Sequence, residues 1–181
     1  MLNAHPRRWF VWAAILSLAI DQIAKVLAYG MLEEHVPVRV LGDFVRLIRT
    51  ANPRGLFGMH YGPKFIYFVL PLIGIALVIY FAIRTRDRWL LTAYGIVMGG
   101  AIGNLIDRAR LGSVIDFIDM GIGRVRWYTF NPADAFVVIG IVMLVGKELL
   151  WRKKKEPVQA PAVAAESDEG AGSDAPSTPE S

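Results

Sequence analysis

A chain of 181 residues, 54% of them hydrophobic and with a mean hydropathy of +0.40, is too apolar for an ordinary soluble domain and too short for a large transporter. It has no cysteine, which excludes disulfides, cysteine-based zinc sites, a thiol nucleophile and lipidation of its own thiols. All 20 Lys and Arg but only 10 of the 16 acidic residues fall in residues 1–155, leaving +10 there and −6 beyond; such a basic membrane protein faces an anionic leaflet and needs no nucleic acid as a partner.

The first apolar span, about 9–29, follows Arg7 and Arg8 and is long enough to cross a bilayer. A basic start and an apolar core also fit a cleaved signal peptide, but Ser17, Asp21 and Lys25 form an i, i+4 stripe inside the span that should face other helices. Residues 30–64 have strand character: Val36, Val38 and Val40 alternate with Pro37 and Arg39, and a second run covers Phe44 to Ile48. They predict a small sheet on the membrane surface. The second span, about 65–83, is uncharged and reads as scaffold, with Pro71 and Gly74 as a possible kink. Arg84, Arg86 and Arg88 crowd a tight connection to the third span, about 89–108. There Gly95, Gly99 and Gly103 lie four apart and let a neighbouring helix approach closely. Asp107 continues that stripe, and Gly100, Asn104 and Arg108 form the adjacent one.

Between the third span and the fourth, about 135–151, lies the stretch with the most chemical content. Asp116 interrupts the apolar run Val114, Ile115, Phe117 and Ile118, and Asp134 stands at the mouth of the last span. Two adjacent carboxyls cannot both ionise cheaply, so they can share a proton and activate a water. Asn131-Pro132-Ala133-Asp134 is equally a helix start, with Asn131 as the cap, and Asp119 competes with Asp116 as a partner for Asp134. Lys147 and Glu148 are near enough to the span's end to snorkel, Arg152 to Lys155 stop it, and residues 156–181 have the composition of a disordered acidic tail.

The basic clusters at 7–8, 84–88 and 152–155 put both termini and the middle turn in the cytoplasm. The expected fold is therefore membrane α-helical: one domain, 1–155, with four transmembrane helices and a small extracytoplasmic loop region containing a β-sheet. Four crossings bring Asp21, Lys25, Asn104, Asp107, Arg108, Asn131 and Asp134 to one outer face. His5, His35 and His60 are isolated and outside any HExxH pattern, so a zinc hydrolase is disfavoured and neither a metal nor a cofactor is expected.

Asp21-Gln22 with Lys25, Asn52 with Phe57-Gly58, the run Gly99 to Arg108, Val114-Ile115-Asp116-Phe117 and Phe130-Asn131-Pro132-Ala133-Asp134 together resemble lipoprotein signal peptidase, or signal peptidase II, over residues 12–150. One departure is that glycine stands three residues after Asn52, at Gly55, where the family commonly has it two after. The resemblance implies an aspartyl endopeptidase of the bacterial cytoplasmic (inner) membrane, metal-independent, that removes signal peptides from diacylglyceryl-modified prolipoproteins at the lipobox cysteine. It puts the catalytic dyad on Asp116 and Asp134, resolving the choice against Asp119. Asn52, Asn104, Asn131 and Arg108 match substrate-orienting positions, and Asp21, Lys25 and Asp107 match structural polar ones. Lipid-modified prolipoproteins and membrane lipids are the implied partners of a monomer. A small transporter and an assembly scaffold are the rival classes; the apolar second span and the gathering of polar groups at one end argue against a transport path.

Overall fold

The computed structural model describes residues 6–53, 62–63 and 65–155, with the last five as helix backbone alone. The expected disorder of 156–181, the Phe57-Gly58 motif, Gly55, His5 and His60 all lie outside the described residues. In chain order the elements are α1 (Arg8–Met31), β1 (Val38–Leu41), β2 (Val45–Asn52), α2 (Ile66–Arg84), α3 (Arg88–Leu111), β3 (Val114–Ile122), β4 (Val125–Arg126) and α4 (Pro132–Lys155). Among the described residues α1, α2 and α3 are each long and apolar enough to cross a membrane, and α2 runs through Pro71 as one helix.

The helices present their apolar side chains outward. Trp12, Leu16, Ile23 and Val26 of α1 and Leu72, Ile73 and Leu77 of α2 are exposed, whereas Ser17, Asp21, Lys25, Asn104, Asp107, Asn131 and Asp134 are buried. That inversion is stable only where the surrounding solvent is hydrocarbon, since hydrocarbon rewards no burial of apolar surface and makes unpaired polar groups costly.

α3 is the central helix, packed against α1, α2 and α4. Its two small-residue stripes serve different neighbours. A Cβ on Gly95 would run into Phe10 of α1, one on Gly99 into Ser17 and one on Gly103 into the Asp21 carboxylate; a Cβ on Gly100 would meet the Ala133 carbonyl of α4. The stripe therefore brings the α1 carboxylate hard against the α3 backbone. At the other end of the bundle Asp87 caps α3, its Oδ1 accepting from Leu90 N at 3.1 Å, and also binds Lys147 of α4 at 2.9 Å. Lys147, expected to snorkel, pairs there with the cap residue of the neighbouring helix.

The sheet is wider than the sequence suggests, because both long loops contribute to it. Its antiparallel order is β1-β2-β3-β4, with Thr50 opposite Asp116 and Asn52 opposite Val114. The chain after β4 then returns to β3: Ile118 N donates to Phe130 O at 2.8 Å and Phe130 N to Ile118 O at 3.0 Å. This bridge sets the start of α4 beside Asp116. α4 begins at Pro132, three residues before the expected span, because Asn131 caps it: Asn131 Oδ1 accepts from Asp134 N at 3.0 Å.

Candidate active site

Four elements contribute to one buried polar cluster. β3 supplies Asp116, β2 Asn52, α3 Asn104, and the cap and first turn of α4 Asn131 and Asp134; Asp116, Asn104, Asn131 and Asp134 are each no more than 7% exposed. Asn131 follows from simple constraints. Its side-chain oxygen is committed to the helix cap, so its NH2 must point away from α4, and it donates to Asp116 Oδ1 at 2.6 Å and to Asn104 Oδ1 at 3.1 Å. Asn52 Nδ2 donates to the other oxygen, Asp116 Oδ2, at 2.7 Å. Asn104 Nδ2 donates to Asp134 Oδ1 at 2.8 Å.

Behind this layer lies an ionic one. Lys25 Nζ reaches Asp21 Oδ2 at 2.9 Å, Asp107 Oδ2 at 2.8 Å and Asn104 Oδ1 at 3.0 Å. Asp21 Oδ1 accepts from Ala133 N at 2.9 Å. The N–H groups of the first three helical residues of α4, which the helix itself leaves free, are accounted for: Pro132 has none, Ala133 donates to Asp21 and Asp134 to the Asn131 side chain, and the helix's own bonds begin with Ala135 donating to the Asn131 carbonyl. Arg108 NH1 donates to Asn104 O at 3.4 Å. Asp107 belongs to the Lys25 cluster and accepts from Ile115 N at 3.3 Å, which ties α3 to the residue next to Asp116.

Residues 13–150 match the family described as Signal peptidase (SPase) II. The chain belongs to the signal peptidase II family. A lipoprotein signal peptidase of Syntrophus aciditrophicus is 35% identical over 159 residues, covering 83% of this chain and 98% of its own. One from Moorella thermoacetica is 38% identical over 144 residues, covering 78% and 93%. A solved structure described as a bacterial membrane enzyme superposes with a TM-score of 0.75 at 25% identity, covering 83% of this chain and 93% of that one.

In this signal peptidase II, Asp116 and Asp119 have different environments. They are three residues apart on a strand and so point to opposite faces. Asp119 is gripped by Arg46 at 2.7 Å and Arg126 at 2.8 Å. Burial works to raise its pKa, but the two guanidinium groups outweigh that and hold it below the ordinary carboxylate range. Asp116 goes the other way: burial first, and then the charge of Asp134, push it up to about 7 against the opposing donors Asn52 and Asn131. A pair of this kind can hold one proton near neutrality.

The peptidase has two apolar cavities at this cluster. One, of about 330 Å³ between α2, α3 and α4, has Tyr67, Leu70, Val97, Val137 and Ile141 along its walls and Asn104 and Arg108 at its polar end. The other, of about 300 Å³, is lined by Trp127, Phe130, Val138 and Ile139 and reaches Asp134.

Sequence reasoning missed two contributors. Thr50, whose Oγ1 donates to Asp116 O at 3.1 Å, shares a strand face with Asn52 and was available from period-2 alternation. The role of Asp21 in capping α4 joins residues 112 apart and has no local signature.

Proposed function

We propose how this signal peptidase, which removes signal peptides from prolipoproteins, does so: as an aspartic endopeptidase whose dyad is Asp116 and Asp134. The observation that carries the reading is a pair of buried carboxyls, oriented by three asparagine amides, at the polar end of apolar cavities. Asp116 accepts an amide N–H on each oxygen, the pattern that suits a carboxylate. Among the described residues Asp134 accepts one side-chain donor, on Oδ1. The mechanism assigns the shared proton to the other Asp134 oxygen, Oδ2, for the attack, and the titration itself belongs to the pair.

In the reaction Asp116 takes a proton from water as the hydroxide attacks the scissile carbonyl carbon, while Asp134 donates its proton to the carbonyl oxygen. Collapse of the tetrahedral intermediate breaks the C–N bond, the amine leaves with the proton from Asp116, and Asp134 regains its own. Asn52, Asn104, Asn131 and Arg108 orient the dyad and the peptide; Asp21, Lys25 and Asp107 hold α1, α3 and α4 in register. The chemistry requires no metal or cofactor.

The arrangement supports a substrate anchored by lipid. α4, at 24 residues, is about 36 Å long at 1.5 Å per residue and completes a four-crossing bundle, acting as a monomer in the bacterial inner membrane. Both termini are cytoplasmic and the dyad is at the extracytoplasmic face, where a diacylglyceryl cysteine presents its peptide bond while its acyl chains remain near hydrocarbon. Two acyl chains contribute ~0.8 kcal/mol per buried methylene. Lipidated and unlipidated versions of one lipobox peptide, compared at saturating concentration in one detergent, test this. The lipidated peptide is expected to turn over much faster; equal turnover would reassign the chain as a general membrane protease.

A further inference from the structure

We infer that Lys25 is a positioning residue of the hydrolytic centre: its ammonium fixes the Asn104 amide so that the amide N–H is aimed at Asp134. The inference rests on the dyad reading above. Lys25 is 2% exposed, and its three N–H donors have three acceptors, on Asp21, Asp107 and Asn104. Two of these bonds are the ion pairs that a purely structural lysine would make. The third, to a neutral amide at 3.0 Å, is the informative one.

An asparagine amide is nearly symmetric in shape, and only its partners decide which end is oxygen. Two donors, Lys25 Nζ and Asn131 Nδ2, converge on Asn104 Oδ1, so the opposite end, Nδ2, faces Asp134 Oδ1 at 2.8 Å. Turning the amide over would set its NH2 against both donors and lose both bonds. With Lys25 absent, one donor remains and the restraint is halved. An Asn104 turned over would offer an acceptor to Asp134, drawing the proton onto Oδ1 and away from Oδ2, where the proposed mechanism uses it. The charged groups around this relay are Asp21 and Lys25 of α1, Asp107 and Arg108 of α3, Asp134 of α4 and Asp116 of β3.

The test uses two double variants of equal charge. Lys25→Gln/Asp107→Asn and Lys25→Met/Asp107→Asn each remove one positive and one negative charge, but only the first keeps a donor for Asn104. Melting temperature in detergent, kcat and KM on a diacylglyceryl lipobox peptide, and the pH profile of kcat are measured for both. The expected result is two folded proteins with KM values alike, in which the methionine variant has a kcat about 100-fold below wild type and a displaced pH profile, whereas the glutamine variant keeps at least about a tenth of wild-type turnover. Equal turnover by the two would overturn the proposal. So would loss of fold by either, because the cluster would then serve folding rather than the aim of Asn104. Asp116→Asn and Asp134→Asn run in parallel separate this from the underlying reading: if either is active, the dyad itself is wrong, whatever Lys25 does.

Discussion

Single side chains in this protein are decided by which partners reach them. Asp116 and Asp119 lie on the same strand and were equal candidates by spacing, yet one is held by amides beside a second carboxyl and the other by two guanidinium groups. Asp119→Asn should keep most of its turnover but lose ~2 kcal/mol of stability, because charge-assisted bonds to Arg46 and Arg126 disappear. A denaturation curve in detergent with a parallel activity assay checks both halves. The Asp116 carboxyl, raised to about 7, gives a pH signature with a definite sign. The folded pair holds a proton that the unfolded chain releases near the ordinary carboxylate value of about 4. Stability should therefore fall as pH rises between those values, and kcat should decline as pH passes 7 and the pair loses its shared proton. Asp116→Asn should flatten the stability profile, so the difference in melting temperature between variant and wild type should shift in the variant's favour from pH 5 to pH 8.

Elements carry the site through their ends and their closest contacts. The sequence made the helices legible, since their apolar length and the glycine spacing of α3 are local signals, and it made the cap at Asn131 legible from Asn-Pro-x-Asp alone. What it did not reveal is that the cap and the site are one object. The Asn131 side chain uses its oxygen for α4 and its NH2 for Asp116 and Asn104, and only the return of Phe130 onto β3 puts these within reach. Nor could it reveal that strands from both loops make one sheet, because β2–β3 pairing joins residues more than 60 apart. Asn131→Ser separates the two roles: serine caps a helix about as well as asparagine, so melting should move little, whereas loss of the amide donors should lower kcat by about 100-fold. Gly103→Ala tests the close packing that brings α1 to the site. A Cβ there collides with the Asp21 carboxylate, and overpacking of ~1–3 kcal/mol should reduce stability and activity together.

For the whole molecule, polar groups from distant parts of the chain meet in one cluster of a bundle whose outside is apolar, and the proposed function uses that arrangement to hydrolyse a peptide bond at a membrane boundary. Because the chain lacks cysteine, a cysteine placed at Arg86 or Arg124 is its sole thiol, and an impermeant reagent added to intact cells should label the Arg124 position and spare the Arg86 position. The reverse pattern would invert the proposed topology. The central claim is that Asp116 and Asp134 together perform the hydrolysis, and cleavage of a diacylglyceryl lipobox peptide by purified Asp116→Asn and Asp134→Asn tests it most directly. Each variant should insert, fold and bind substrate, yet show no turnover above background. Near-wild-type cleavage by either folded variant would contradict the account.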